Sequence, residues 1–475
     1  MSVTPATGAL RPGIDAAMDR APVGRTHRRI VVAIGLGLFF DMYEIFLSGS
    51  ISVALGKSFE VSEGQVKLLL ASAFIGMFLG AVLLGRLADR LGRRRAFMLT
   101  LIWYSVWSLV AAFSPSAWFL VFARFMAGIG VGAEYPVADA YLSDTLPKDH
   151  RGRLASWAYT FSFVAVPVVG FLGVWLNEGL VLGVDGWRWL LGLGGVGAFA
   201  VLLMRRSLPE SPRWLAAVGR TDQARSELAR FTDEAPEAAA QTPAVEPEAQ
   251  PRPATRSTGT STSTGTSALA GSAGSLSLLR RPIYAKRFSM LVVFHLLQTF
   301  GYYGFGTLAA LTLVARGQDV THSLLYTALS FLGYPIGSLL STPLLKVIER
   351  KYLVMGSVVA LAVSGFLFAT VTPAWLIVVF GFLTTAISNV FSNAYHVYQA
   401  EIFPTQLRAT AVGWTYSLSR LSSGALPFVL LPVLTGHGAS AMFLVVSAAL
   451  AVVVIVVGVL GPRTTRRSLD EINPV

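Results

Sequence analysis

The chain has 475 residues, of which 53% are hydrophobic and only 13% charged, with a formal net charge of +12. A soluble globular domain carries about a quarter charged residues, so this composition calls for lipid, not water, as the main solvent. With no cysteine in the chain, disulfides, zinc–thiolate centres, iron–sulfur clusters and Cys nucleophiles are excluded.

Residues 1–28 are polar and rich in Ala, Pro and Arg, and are expected to form a disordered cytoplasmic tail. The first apolar run is too long for the h-region of a cleaved signal. A bilayer-crossing helix needs ~20 predominantly apolar residues. Six such segments follow, at about 30–53, 66–87, 96–114, 119–142, 153–177 and 187–205. Six more lie at about 288–315, 323–346, 352–372, 374–398, 407–434 and 440–461. They define an N-terminal bundle over 29–206 and a C-terminal bundle over 288–462, joined by a linker over 207–287, with a second tail over 463–475. Trp214–Phe231 in the linker reads as one or two short amphipathic helices. The remainder, rich in Pro, Ala, Glu, Ser, Thr and Gly, cannot bury a core and is expected to stay disordered.

Lys and Arg collect in alternate connections: Arg90–Arg95, Lys148–Arg153, Arg205–Arg287, Lys346–Lys351, Arg408 and Arg463–Arg467. The opposite side holds little beyond Lys57, Lys67, Arg188 and Arg316. This asymmetry places both termini in the cytoplasm of a multi-pass inner-membrane protein. The positive charge is therefore a topology signal. No contiguous basic patch on a folded domain is offered to nucleic acid.

The halves repeat. DTLPKDHRGRLASWAYTFS (Asp144–Ser162) aligns without gaps with EIFPTQLRATAVGWTYSLS (Glu401–Ser419), pairing Asp144 with Glu401, Arg151 with Arg408 and Tyr159 with Tyr416. Parallel six-helix repeats place a binding site at the interface between them.

GRLADRLGRRR (Gly85–Arg95), between the second and third spans, resembles the signature loop of the major facilitator superfamily through Gly85, Asp89, Arg90, Gly92, Arg93 and Arg94. The resemblance covers about residues 28–465. It implies an all-α membrane protein of twelve transmembrane helices in two pseudo-symmetric six-helix bundles. It also implies a charge latch at the cytoplasmic end, in which Asp89 meets an Arg such as Arg151. Asp144, Arg151, Glu401 and Arg408 extend that gate by resemblance and by the repeat. PESPRWL (Pro209–Leu215) resembles the sugar-porter-like branch. FFDMYEIFLSG (Phe39–Gly49), RFMAGIGVGAEYP (Arg124–Pro136) and YQAEIFPTQLRATAVGWTYSLSRLSSG (Tyr398–Gly424) resemble the aromatic-acid/proton symporters and their niacin- and synaptic-vesicle-protein-like relatives, with Met42 and Glu44 departing from their pattern.

Ionisable residues at mid-membrane are expensive and default to function. Asp41 and Glu44 share one helix face at i, i+3. Their charges repel, and a proton on either relieves the repulsion. They are the candidate proton carriers, with Glu134 as a second coupling site or a fixed partner of Arg420 or Arg124. Arg420, in the eleventh span, is the candidate to hold a substrate carboxylate bidentately, unless Glu134 or Asp41 pairs with it permanently. Gln298, Tyr302, Tyr303, Asn389, Asn393 and His396, on the seventh and tenth spans, are candidate cavity residues, or else helix-packing glue. His295 reads as a satisfied core histidine or a proton relay.

These residues point to a secondary transporter, not an enzyme, that imports a small organic anion with protons by alternating access. An aromatic or heteroaromatic monocarboxylate is the expected cargo. A sugar or polyol symporter, a proton-coupled drug exporter and a non-transporting nutrient sensor stay open. No metal site and no cofactor are expected, with the proton gradient as the driving force. The expected partners are the small-molecule substrate, protons and the bilayer, and a monomer suffices.

Overall fold

The computed structural model describes residues 11–55, 58–59, 61–176, 180–232, 278–465, 467 and 469–473. Among these the chain is helical almost throughout, apart from one two-stranded sheet that pairs Leu180–Val181 with Val184–Asp185. Ten helical runs among the described residues are long and apolar enough to cross a bilayer. The run Thr405–Leu460 is two spans, because Gly438 (φ 83°, ψ 176°) breaks it. That region of backbone space is open essentially to glycine alone. Pro282–Ala315 is a further full-length helix, its apolar run interrupted by Gln298, Tyr302 and Tyr303.

Twelve spans result among the described residues. Spans 1 to 6 are Arg25–Ala54, Glu63–Leu91, Arg93–Ala112, Ala117–Thr145, Lys148–Leu176 and Gly186–Arg205. Spans 7 to 10 are Pro282–Ala315, Val320–Val347, Arg350–Thr370 and Ala374–Glu401. Spans 11 and 12 are the parts of Thr405–Leu460 before and after Gly438.

Lipid supplies no hydrophobic force between helices, so close backbone approach does the packing. Spans 2 and 4 show it. A Cβ on Gly76 or Gly80 would run into the carbonyls of Phe125 or Ile129, and one on Gly128 or Gly132 into those of Ala73 or Met77. The bundles meet through spans 1 and 7, 2 and 11, and 5 and 8.

The repeat holds at atomic level. Arg93 pairs with Asp144 at 3.2 Å, and Arg350 pairs with Glu401 at 3.2 Å in the same register of the second half. Arg151 Nη2 donates to the Leu146 carbonyl at 3.2 Å, and Arg408 Nη2 to the Phe403 carbonyl at 3.3 Å.

The termini differ from the sequence reading. Residues 1–28 were expected to be a disordered tail, yet Arg11–Arg20 is helical and span 1 starts at Arg25. Ile14 and Met18 bury against Leu208, Trp214, Leu215 and Leu228, and Asp19 binds Arg213 at 2.6 Å. Residues 1–10 lie outside the described set. In the linker, Pro212–Ala217 and Thr221–Thr232 form two short helices, while 233–277 lie outside the described residues. Span 7 begins at Pro282, not 288. In the final tail, Arg287 donates to Asn473 Oδ1 at 2.9 Å and to the Ile472 carbonyl at 2.8 Å. Both tails and the linker helices therefore dock at one end of the molecule, the linker end.

Candidate functional site

Besides Arg287 near the start of span 7, which binds the final tail, three carboxylates and three arginines are buried inside the spans among the described residues, and the structure sorts them. Glu44 is ion-paired with Arg124 of span 4. Arg124 also donates to the Glu44 carbonyl at 3.0 Å, and Ser108 donates to Glu44 Oε2 at 3.3 Å. Glu134 is ion-paired with Arg205 of span 6 and accepts from Thr100 at 2.9 Å. The partner of Glu134 is thus Arg205, and neither Arg420 nor Arg124. In the sequence Arg205 closes the sixth span and opens the basic connection Arg205–Arg287. Instead it folds back into the bundle, over the ring of Phe97 at 4.6 Å and into the space that Gly37 leaves free. Its only signal was a second arginine, Arg206, beside it, so one of the two could turn inward while the other stayed at the surface.

Asp41 is different. It is buried, makes no ion pair with a described residue, and its Oδ2 has no hydrogen-bond partner. Arg420 is buried too, and none of the described carboxylates pairs with it. Its Nη1 donates to the Tyr303 phenol at 2.6 Å and its Nη2 to the Tyr416 phenol at 3.0 Å. Both rings also face the guanidinium, at 5.4 and 5.2 Å. Two neutral oxygens orient this cation without cancelling its charge.

Aromatic rings surround it. Tyr302 packs edge-on against Tyr303 at 4.7 Å, and His396 lies between Tyr395 (4.3 Å, stacked) and Tyr416 (5.5 Å). Tyr135 stacks on Tyr159 at 6.1 Å. Pro136 sits inside span 4 directly after Tyr135, and a proline there removes a helical hydrogen bond and bends the helix. Phe74 of the first half meets Tyr303 at 5.2 Å, Phe46 meets Tyr334 at 5.1 Å, and Phe163 stacks on Tyr334 at 6.2 Å. These rings join the two bundles across the middle stretches of their spans. Among the described residues no ion pair crosses between the bundles at the linker end.

The other candidate residues divide. Gln298 is buried with its Oε1 unpartnered. Asn389 Nδ2 donates to the Tyr334 carbonyl at 2.5 Å, leaving Oδ1 free. Asn393 Nδ2 donates to Ser341 Oγ at 2.7 Å and ties span 10 to span 8. His295 shares a hydrogen bond of 2.9 Å with Gln399, which reaches His396 at 3.1 Å.

Of the gating candidates, Gly92 makes the turn between spans 2 and 3 at φ 97°, where Glu210 accepts from the Arg94 backbone N–H at 3.1 Å. Asp144 and Glu401 pair with Arg93 and Arg350, while Arg151 and Arg408 bind carbonyls. The surroundings of Gly85 and the side chains of Asp89 and Arg90 lie outside what the structure describes. A cleft of about 780 Å³, lined by Arg94, Trp214, Arg220 and Glu227, opens at the linker end without Asp41 or Arg420 in its wall.

Two six-helix bundles joined by a linker, with a buried polar site at their interface, are the architecture of a membrane transporter. The sequence matches the family described as "Sugar (and other) transporter" over residues 30–475, and the chain belongs to that family. It is an integral, multi-pass membrane protein. It is 28% identical over 457 residues to the niacin transporter NiaP of Acinetobacter baylyi, covering 96% of this chain and 98% of the relative. It is 24% identical over 420 residues to the gentisate transporter of Corynebacterium glutamicum, covering 85% and 81%. The fold matches the partially occluded inward-open xylose transporter XylE of E. coli, with a TM-score of 0.71 and 19% identity over 94% of this chain and 100% of that one.

Proposed function

We propose that this chain imports a small aromatic or heteroaromatic monocarboxylate together with protons across the inner membrane, its termini and linker lying in the cytoplasm. The observation that carries the reading is Arg420, a buried cation held, among the described residues, by two phenols. A planar carboxylate fits a guanidinium bidentately, and the rings of Tyr302, Tyr303, Tyr395 and Tyr416 suit a flat aromatic body. Niacin and gentisate, named in two relatives, are both planar aromatic carboxylates.

Asp41 supplies the coupling in this reading, since Glu44 and Glu134 are each engaged by an arginine. In this reading a deprotonated Asp41 supplies the counter-charge that Arg420 lacks and so competes with the substrate for it. A proton on Asp41 frees Arg420 to bind the anion. Loss of that proton on the cytoplasmic side restores the competition and releases the cargo. One chain holds the whole site, so a monomer suffices.

The polyol reading draws on the unpartnered amide oxygens of Gln298 and Asn389. A neutral sugar, however, would leave the Arg420 charge buried without a counter-ion, which is costly. Uptake into proteoliposomes with an acidic exterior decides between them. Labelled nicotinate, benzoate, 4-hydroxybenzoate and glucose are offered to wild type and Arg420→Ala. Accumulation of an acid, abolished by a protonophore and by the substitution, is expected. Glucose uptake indifferent to Arg420 would overturn the reading.

A further inference from the structure

The linker end of the interface carries a carboxylate that the cycle above does not use. Asp139 lies in the last third of span 4, yet it is exposed. It accepts a hydrogen bond from the phenol of Tyr159 in span 5. Thr160, the next residue along span 5, meets Ser338 Oγ of span 8 in the opposite bundle at 2.9 Å, so this side of the first bundle lies at the interface between the halves.

The repeat supplies an independent observation. The register that pairs Asp144 with Glu401 and Tyr159 with Tyr416 places His396 where Asp139 stands. His396 is exposed as well, with its ring against Tyr416 at 5.5 Å. Each half thus lines this interface with a tyrosine and a titratable neighbour. In the C-terminal half this tyrosine holds Arg420. In the N-terminal half it holds a carboxylate.

Tyr159 stacks on Tyr135 at 6.1 Å, and Tyr135 follows Glu134, whose carboxylate reaches Gly37 of span 1, one turn before Asp41. The line Asp41, Tyr135, Tyr159, Asp139 therefore runs from the buried carboxylate towards the linker end.

We propose that Asp139 is the acceptor that takes the coupling proton from the central site to the cytoplasmic water. The proposal rests on the proton-coupled reading above. Asp41 gives up its proton and becomes a carboxylate. Asp139 gains it and becomes a neutral acid, then releases it to water. The recovered negative charge opposes return of an anionic substrate to Arg420. The groups facing Asp139 are Tyr159 from span 5, Tyr135 from its own helix, and Tyr416 with its neighbour His396 from spans 11 and 10. Among the described residues no arginine or lysine forms an ion pair with it. An unpaired carboxylate within a span marks a pathway position.

The test uses proteoliposomes of the full chain and labelled nicotinate, comparing proton-driven accumulation with nicotinate–nicotinate exchange. Exchange needs no net proton release. Asp139→Asn is expected to lose accumulation and keep exchange. Wild-type accumulation in this variant overturns the proposal. Where exchange is lost too, Asp139→Glu decides. Restored accumulation with a shifted pH profile supports the role; an unshifted profile, or no restoration, overturns it. A wild-type protein that exchanges nicotinate but never accumulates it would instead sink the underlying proton-coupled reading.

Discussion

Arg205 of span 6 is ion-paired with Glu134 of span 4 inside the first bundle, their side chains only 1% and 2% exposed. Removing one partner of a buried pair strands the other charge, at a cost of ~3–5 kcal/mol, whereas replacing both with apolar residues of similar volume is often neutral. Glu134→Ala should therefore lower the thermal midpoint of the purified protein sharply. The double variant Glu134→Leu/Arg205→Met should recover most of the loss. A single variant as stable as wild type would show that the pair is not closed in the folded protein.

Arg420 donates through two separate nitrogens. Lysine keeps the charge but loses the planar fork. Losing one charge-assisted hydrogen bond costs ~1.5–3 kcal/mol, so Arg420→Lys should raise KM for an aromatic acid roughly 10- to 100-fold. Substrate titration of initial uptake rates measures it. An unchanged KM would remove Arg420 from the binding site.

The backbones of spans 2 and 4 touch at Gly128 and Gly132. Gly132→Leu should force the Met77 segment away, with an overpacking cost of ~1–3 kcal/mol or more. Gly413, which has open space around it, is the control, and Gly413→Ala should leave the melting midpoint unchanged.

Asp19 ties the N-terminal helix to the linker. Burial pushes its pKa up, but the hydrogen bond from Arg213 and the charges of Arg213 and Arg151 outweigh burial and hold it below the ordinary carboxylate value. A depressed folded-state pKa gives stability that is present above the unfolded value and lost as pH falls through the folded one. The docking of Arg11–Arg20 should thus be intact at neutral pH and loosen only below about pH 4. Hydrogen exchange of residues 11–20 reads this directly, and Asp19→Asn should show the loosened pattern already at pH 7. Protection in that variant equal to wild type would show that Ile14 and Met18 hold the helix alone.

Composition and periodicity made the architecture legible. Runs of apolar residues long enough to cross a bilayer have few alternatives, and a gap-free internal alignment marks two equivalent halves. The sequence also singled out Asp41, Glu44, Glu134 and Arg420, because a charge inside an apolar run is visible without knowing its neighbours. It could not show which charges cancel. Arg205 read as a surface anchor, since the end of a span looks the same whether its last side chain points to water or back into the bundle. The helix at Arg11–Arg20 was hidden as well. Its apolar residues, Ile14 and Met18, are too few to signal a helix until Leu208, Trp214 and Leu228 are brought against them.

By itself, then, the sequence determined the class of solvent, the twelve spans, the repeat and the set of buried charges, because lipid penalises each polar residue locally and one at a time. Only the tertiary structure decided the pairing: Glu44 with Arg124, Glu134 with Arg205, Asp41 with none of the described residues, and Arg420 with two phenols. Pairing depends on distances between side chains far apart in the chain, and those are set by how the spans pack.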